Sequence, residues 1–154
     1  MTYLCELSKR STQPTMSVRT RSAVQDLPEL LGKVYGKIGQ CLGAHGAQPI
    51  GPPYVGYFNM DMQDLDLEIG FPVSQAIQSE GDIQSSEIPE GQYATCLYTG
   101  PYSDIEPAYI ALTQWIENQG YQTTGVTYEL YLNDPAQTSL EELQTQILFL
   151  LESV

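Results

Sequence analysis

The residues best suited to chemistry lie in one short stretch, Tyr128 to Asn133. The stretch is rich in β-forming residues, and successive side chains of a strand point to opposite faces, so Glu129, Tyr131 and Asn133 share one face. A carboxylate in mid-strand beside a tyrosine is unfavourable to bury unless it is paired or hydrogen-bonded. Surrounded by aromatic rings, such a carboxylate is suited to binding a lipophilic cation.

The chain contains eleven tyrosines, and many of them fall on predicted strands. A tyrosine ring offers a broad apolar contact area with a polar tip, although about half of these rings are expected in the core. The site that we predict has Glu129 as its polar anchor and Tyr131 beside it. Its other candidate ligand-binding residues are Tyr57, Tyr93, Tyr98, Val55, Leu148 and Glu68.

No metal site and no cofactor are expected. His45 is the single histidine, and no Cys/His or Ser/His/Asp arrangement is apparent around it, so it is predicted to lie at the surface. The four acids between residues 61 and 68 lack the glycine and terminal glutamate of a calcium-binding loop. A solvated acidic hairpin explains them better.

The elements that position Glu129 follow from an internal repeat at an offset of 74 residues. Residues 31–59 and 105–133 share eight identities in 29 positions without a gap. The identical pairs are Tyr35/Tyr109, Gln40/Gln114, Gly46/Gly120, Gln48/Gln122, Gly51/Gly125, Tyr54/Tyr128, Tyr57/Tyr131 and Asn59/Asn133. Glu129 breaks this symmetry, because its counterpart is Val55. The fold alone therefore does not require an acid at that position.

Each copy is predicted to form a strand, a helix and two further strands. The first copy has strands over 17–24, 54–59 and 65–73 with a helix over 27–43; the second has strands over 92–99, 126–133 and 145–151 with a helix ending at Gly120. An edge strand is expected over 3–8 and a polar connection over 74–91. The fold class is α+β: two βαββ repeats with pseudo-two-fold symmetry, an antiparallel sheet, helices on one face and a ligand groove between the halves.

Local sequence features add detail to the predictions for both helices. Ser103 and Glu106 have the spacing of a capping box at the start of the second helix. Four glycines of the first helix, at positions 32, 36, 39 and 43, predict that this helix lies close to its sheet. We expect one domain over residues 1–154, with repeat halves of about 15–74 and 88–151.

Charge restricts the partners. The net charge is −13, and residues 38–154 contain sixteen acids and no Lys or Arg. Such a surface repels a phosphate backbone, so direct nucleic-acid binding is not expected.

No apolar run approaches the ~20 residues of a membrane span. The three cysteines are far apart in apolar contexts, which favours reduced thiols and a cytoplasmic location.

The chain resembles the GyrI-like, or AraC-type effector-binding, domains, which occur alone and as ligand-sensing parts of BmrR-like multidrug regulators. The resemblance rests on residues 93–102, 115–120, 128–135 and 141–147. It implies a pocket for hydrophobic, often cationic compounds, with Glu129 at its base and aromatic side chains around it. The last strand, Thr145-Gln146-Ile147-Leu148, departs from the family's usual Thr-Glu-Ile-Tyr, which implies a more apolar pocket. No helix-turn-helix segment precedes Tyr3.

Three functions stay open at this point. The first is a stand-alone module that sequesters or senses a small hydrophobic or cationic ligand. The second, which the resemblance implies because some members of the group resemble such hydrolases, is a hydrolase of reactive electrophiles of the cyclopropane type. Glu129 is then the general base, and Tyr131, or alternatively Tyr57 or Tyr93, is the acid or orienting group. The third is an acidic inhibitor that binds a protein partner, such as gyrase or a separate transcription regulator.

Overall fold

The computed structural model describes residues 3–153 and shows a mixed α+β protein with eight strands and two helices. In chain order the elements are β1 (Cys5–Arg10), β2 (Gln13–Ser22), α1 (Leu27–Ala44), β3 (Tyr54–Tyr57), β4 (Leu65–Pro72), β5 (Gln84–Ile88), β6 (Gly91–Thr99), α2 (Glu106–Asn118), β7 (Thr123–Tyr131) and β8 (Gln144–Leu151). The α+β class is confirmed, as is the strand–helix–strand–strand order of both copies. Neither of the helices within residues 3–153 has the length and apolar character needed to cross a membrane.

The chain divides into two compact units, one for each repeat copy. The described part of unit 1 comprises residues 3–10 and 91–153, and unit 2 comprises residues 11–90. The strand order is β1-β6-β8-β7 in unit 1, with antiparallel neighbours throughout. In unit 2 the order is β5-β2-β4-β3, again antiparallel. Each unit is therefore a four-stranded sheet made of the three strands of one copy and an additional edge strand.

The two edge strands are exchanged between the copies. β1 precedes the first copy in the chain but pairs with β6 of the second, and β5 precedes the second copy but pairs with β2 of the first. β1 confirms the expected edge strand. The polar connection predicted over 74–91 is wrong in part, because β5 lies within it. The sequence of β5 is largely polar, and its pairing with β2 is a tertiary contact that local propensity does not report.

The core of unit 1 lies between α2 and one face of its sheet. Ala108, Leu112 and Ile116 recur every fourth residue and form the apolar stripe of α2. They pack against buried side chains from alternate positions of two central strands, which are Ala94, Cys96 and Tyr98 of β6 and Ile147, Phe149 and Leu151 of β8. Burying such a side chain contributes about 1.5–3 kcal/mol, so this stripe holds α2 on the sheet.

Both helices end in the same way. Gly46 and Gly120 have φ angles of 67° and 79°, a conformation that favours glycine. The next residue after each glycine donates its N–H back into the last turn, from Ala47 to the Leu42 carbonyl at 2.9 Å and from Tyr121 to the Ile116 carbonyl at 3.1 Å. These are the hydrogen bonds of a Schellman C-cap. The prediction that Gly120 closes its helix is confirmed.

Matching side-chain contacts confirm the repeat. Asn59 bonds the backbone of residues 64 and 66 at 3.1 and 3.0 Å, and Asn133 bonds that of residues 142 and 144 at the same distances. In unit 2 the rings of Tyr35 and Phe71 lie 5.1 Å apart, and in unit 1 those of Tyr109 and Phe149 lie 5.7 Å apart. The conserved asparagines therefore close the turn before the last strand of each unit.

The start of α2 differs from the prediction. Tyr102–Asp104 forms a separate 3-10 turn, and the N-cap of α2 is Ile105, which makes no side-chain capping bond. The predicted capping box of Ser103 and Glu106 is therefore wrong, because Ser103 lies inside the preceding turn.

The prediction about the glycines of α1 is also wrong. All four are exposed, and a Cβ added at positions 32, 36, 39 or 43 would meet no described atom within 4 Å. Instead of allowing a close approach, these glycines lie on the solvent side of the helix. The stripe that faces the sheet contains Val34, Ile38, Cys41 and Leu42.

Replacing one of these glycines is expected to stabilise the protein. Gly36→Ala should raise the free energy of unfolding by about 1 kcal/mol, because alanine loses less backbone entropy in a helix and meets no neighbour here. Chemical denaturation followed by circular dichroism measures the change.

Gly70→Ala is the matched control. A Cβ at this strand position would lie 2.5 Å from the Met16 carbonyl oxygen, so the same substitution should destabilise the fold. Equal effects at both positions would contradict the assignment of the helix glycines to open solvent.

Candidate functional site

Glu129 lies two residues before the end of β7 and is buried, with 8% of its surface exposed. Its direct cross-strand neighbour is Ile147 of β8, which belongs to the core beneath α2. Residues directly opposite each other in an antiparallel pair point to the same face. The Glu129 carboxylate therefore faces α2 and not the opposite side of the unit 1 sheet.

Two tyrosine hydroxyls satisfy this carboxylate. The Tyr131 hydroxyl donates to Oε1 at 2.7 Å, and the Tyr109 hydroxyl of α2 donates to Oε2. The rings of Tyr102 and Tyr131 pack in a T-shaped arrangement with their centroids 5.5 Å apart. We call Glu129, Tyr131, Tyr109 and Tyr102 the Glu129 cluster. It joins a strand, a helix and a 3-10 turn of the same unit.

The electrostatic effect of the carboxylate is visible at Tyr102. Burial raises the pKa of the Tyr102 phenol, and the negative charges of Glu129 and Asp134 raise it further. The Tyr102 side chain is nevertheless exposed, with 37% of its surface accessible. Residues 91–153, which supply the whole cluster, contain eight acids and no Lys or Arg. A cation approaching the Tyr102 ring therefore meets a negative potential.

Unit 2 serves as an internal control for the cluster. At the position of Glu129 it has Val55, which is fully buried, and at the position of Tyr109 it has Tyr35. With no carboxylate available there, the Tyr35 hydroxyl donates to the backbone carbonyl of Tyr54 at 2.8 Å. The same fold is thus built with a valine at this place, so the acid at 129 is not a requirement of packing.

The remaining predicted residues of unit 1 do not join the cluster. Tyr98 lies in the core beneath α2 and donates its hydroxyl to the Pro101 carbonyl at 2.8 Å. Tyr93 and Leu148 are fully buried on the face of the sheet opposite to Glu129, where the Tyr93 ring packs 6.4 Å from that of Tyr128. Of the residues predicted in this unit, Tyr131 is hydrogen-bonded to Glu129.

Val55, Tyr57 and Glu68 lie in unit 2, and their membership of a common site stays a prediction. Val55 and Tyr57 are on the α1 side of their sheet. Glu68 is on the other side, where its Oε2 accepts hydrogen bonds from Ser17 at 2.9 Å and Ser86 at 2.6 Å. This carboxylate therefore links β2, β4 and β5.

The counterpart of Glu68 in unit 1 is Gln146. Its side-chain amide donates to the Thr95 hydroxyl at 2.7 Å, as Ser17 bonds Glu68 in the other unit. Both units thus place a polar cross-strand pair at this position, which indicates a structural role for Glu68. Thr95 and Gln146 also line a shallow depression of about 430 Å³ on the face opposite to α2, together with the exposed Glu6.

A match to a known protein family decides the family to which the chain belongs. The GyrI-like small molecule binding domain matches residues 12–152. The chain belongs to this family. The resemblance stated from the sequence is thereby confirmed, and no curated protein matches the chain.

Solved structures support the GyrI-like assignment. The crystal structure of the EcmrR C-terminal domain is 25% identical with a TM-score of 0.82, covering 100% of both chains. EcmrR in a cryo-EM complex with DNA is also 25% identical with a TM-score of 0.85, covering 99% of this chain but 58% of that chain. This GyrI-like chain thus spans less than two thirds of that EcmrR chain.

More distant structures share the fold. A hydrolase from Listeria innocua is 13% identical with a TM-score of 0.71, covering 96% of this chain and 91% of that one. SAV2435, solved bound to tetraphenylphosphonium, is 11% identical with a TM-score of 0.68, covering 99% and 95%. At these identities the likeness concerns the GyrI-like fold alone.

Sequence reasoning missed two cluster members and one further group. Tyr109 is identical with Tyr35 across the repeat, and this identity is the signal that points to it. Tyr102 follows the turn at Gly100 and Pro101 and had no such signal. The further group contains Cys41, His45 and Glu80, whose Sγ, imidazole N and carboxylate O atoms all lie within 4.8 Å of one another.

His45 is at the surface, as predicted, but it does have a cysteine beside it. The His45 hydrogen bond and then the Cys41 thiol lower the pKa of the Glu80 carboxyl. Burial and then Glu80 raise the pKa of the Cys41 thiol. The statement that no Cys/His arrangement surrounds His45 is therefore wrong: Cys41 and His45 are four residues apart, the spacing of one helix face.

The electrostatic coupling within the Glu129 cluster is testable. Glu129→Gln should lower the pKa of Tyr102, because the amide removes one of the charges that raise it. NMR titration of ring-labelled tyrosine, with Tyr102→Phe to assign the signal, measures this shift.

Tyr98 provides the control for this titration. Burial, Asp104 and Tyr3 raise its pKa, and Glu129 is not among the causes. The pKa of Tyr98 should therefore stay the same in Glu129→Gln. A Tyr102 pKa that does not move in this variant contradicts the geometry described for the cluster.

Proposed function

We propose that the protein binds small hydrophobic cations at the Glu129 cluster, and thereby sequesters or senses them. The observation that carries this proposal is a buried carboxylate whose two oxygens accept hydrogen bonds from tyrosine hydroxyls. An aromatic ring attracts a cation through its quadrupole, and a carboxylate adds a full negative charge. Membership of a small molecule binding family supports a ligand of this size.

The exposed Tyr102 side chain is the entrance of the proposed site. Tyr102 packs against Tyr131, which in turn bonds Glu129, so Tyr131 connects the exposed ring to the carboxylate. A planar or multi-ring cation that stacks on these rings brings its charge towards Glu129 without requiring water at the carboxylate. The hydroxyls of Tyr109 and Tyr131 hold the carboxylate in place, which lowers the entropy lost on binding.

Tetraphenylphosphonium is the probe of choice, since it is a bulky hydrophobic cation and SAV2435 was solved bound to it. Glu129→Gln should weaken its binding by about tenfold or more, because a charge-assisted contact contributes about 1.5–3 kcal/mol. Isothermal titration calorimetry measures both affinities. The affinity for triphenylphosphine oxide, a neutral analogue, should change little.

Glu6→Gln is the matched control. Glu6 is an exposed acid of the same unit and lines the depression on the opposite face of the sheet, so its loss tests binding at that alternative place. Tetraphenylphosphonium should bind Glu6→Gln as it binds the unchanged protein. An equal loss in both variants, or none in Glu129→Gln, would count against Glu129 as the anchor.

A hydrolase is the second candidate, and the hydrogen bond between the Tyr131 hydroxyl and the Glu129 carboxylate favours it. A carboxylate and a phenol 2.7 Å apart are within reach of one reacting water, as general base and general acid. The reaction would be addition of water to a reactive electrophile, for example one bearing a cyclopropane ring. The Listeria innocua hydrolase shares the fold.

Substrate consumption separates the two candidates. For a hydrolase, liquid chromatography should show loss of the electrophile in the unchanged protein, with no loss in Glu129→Gln and slower loss in Tyr131→Phe. For a binding protein, the compound is recovered intact from all three samples. Partners such as gyrase or a separate regulator stay a prediction.

A further inference from the structure

A second cluster of reactive side chains lies at the end of α1, in unit 2. Cys41 and His45 are one helical turn apart on the same face, and Glu80 reaches them from a tight turn bridged between Glu80 and Ile83. The Cys41 thiol donates to Glu80 Oε2 at 3.5 Å, and His45 Nε2 lies 3.2 Å from the same oxygen. A sulfur, a nitrogen and an oxygen donor therefore lie close together, within 4.8 Å of one another.

The two separations from Glu80 Oε2 are compatible with ligands around one metal ion, and all three donor atoms lie within 4.8 Å of one another. Zn²⁺ is bound at about 2.3 Å by cysteine sulfur and about 2.0–2.1 Å by histidine nitrogen and carboxylate oxygen, in tetrahedral geometry. Such bonds place the sulfur and the oxygen about 3.6 Å apart and the nitrogen and the oxygen about 3.3 Å apart. The measured distances of 3.5 and 3.2 Å differ from these values by about a tenth of an ångström.

The surroundings also favour a cation. His45 is the C-cap of α1, and the carbonyl end of a helix carries a partial negative charge. The turn that presents Glu80 is attached to the same helix by an ion pair between Lys37 and Asp82, at 2.5 Å. This exposed contact lies two residues after Glu80, and the Glu80 carboxylate is already oriented towards Cys41 and His45 by its hydrogen bonds to both.

The donor set selects the type of metal. Thiolate and imidazole ligands suit Zn²⁺, whereas Ca²⁺ and Mg²⁺ take oxygen ligands. Three protein ligands leave one tetrahedral position for water or an added small ligand. His45 and Glu80 are exposed, which gives the ion access to the cluster from solvent.

We propose that Cys41, His45 and Glu80 form a Zn²⁺ site that ties the turn at residues 80–83 to the end of α1. On binding, the thiol loses its proton to solvent and the metal replaces the two hydrogen bonds to Glu80. The site involves none of the residues of the Glu129 cluster and does not depend on the function proposed for that cluster.

Two metal titrations of the reduced, metal-free protein test this inference. Calorimetry with Zn²⁺ should show one ion per chain with micromolar or tighter affinity. Co²⁺ should give a thiolate-to-metal charge-transfer band in the ultraviolet and the visible absorption of a tetrahedral site. Saturating Zn²⁺ should also raise the melting temperature, because the ion binds the folded state preferentially.

Variants assign the ligands. Cys41→Ser and His45→Gln should each weaken Zn²⁺ binding at least tenfold, and Cys41→Ser should remove the Co²⁺ charge-transfer band. Cys5→Ser, which changes a thiol of unit 1, is the matched control and should retain both properties. His45 is exposed, so His45→Gln keeps the test decisive if the buried Cys41 variant is unstable.

Three results would overturn the proposal. They are the absence of one-to-one Zn²⁺ binding, a Co²⁺ spectrum typical of octahedral oxygen ligation, and Zn²⁺ affinity retained in both Cys41→Ser and His45→Gln. The last two would show that the ion binds elsewhere on the acidic surface.

Discussion

The chemistry of unit 1 depends on one buried carboxylate. Removing a charge from water is unfavourable by several kcal/mol unless hydrogen bonds replace the lost hydration. At Glu129 two tyrosine hydroxyls provide these bonds, one from its own strand and one from α2. Because a phenol donates without carrying a positive charge, it stabilises the carboxylate and leaves its negative charge able to attract a cation. A basic side chain in the same place would neutralise that attraction.

Duplication makes it possible to separate structure from function within one chain. Features that both units share, such as the turn-closing asparagines and the contact between a helix tyrosine and a strand phenylalanine, serve the fold. Residues that differ between the two units are not required by the fold. Val55 in place of Glu129 shows that an apolar residue fills the position without disturbing the arrangement, and the hydroxyl of Tyr35 then bonds a backbone carbonyl.

The two units have also diverged in their additional chemistry. Unit 1 has the Glu129 cluster, whereas unit 2 has Cys41, His45 and Glu80 at the end of its helix. At the positions of Cys41 and His45, unit 1 has Trp115 and Gln119, which lack a thiol and an imidazole. The two groups thus occupy different places on a common scaffold, one around Glu129 of β7 and one at the end of α1, where Cys41 also belongs to the apolar stripe of the helix.

The sequence by itself determined the α+β class, the repeat, the order of elements and the exceptional position of Glu129. These follow from periodicities of 2 and 3.6 residues and from comparison of the two copies, which are properties of the chain alone. Only the tertiary structure decided that β5 is a strand, that the glycines of α1 face solvent, that α2 begins after Ile105, and that Tyr109, Tyr102 and Glu80 approach their partners. Each of these depends on contacts between residues distant in the chain, or on which side of an element meets the core. Local propensity contains no information about such contacts, because a side chain has the same intrinsic preference whichever neighbour it finally meets.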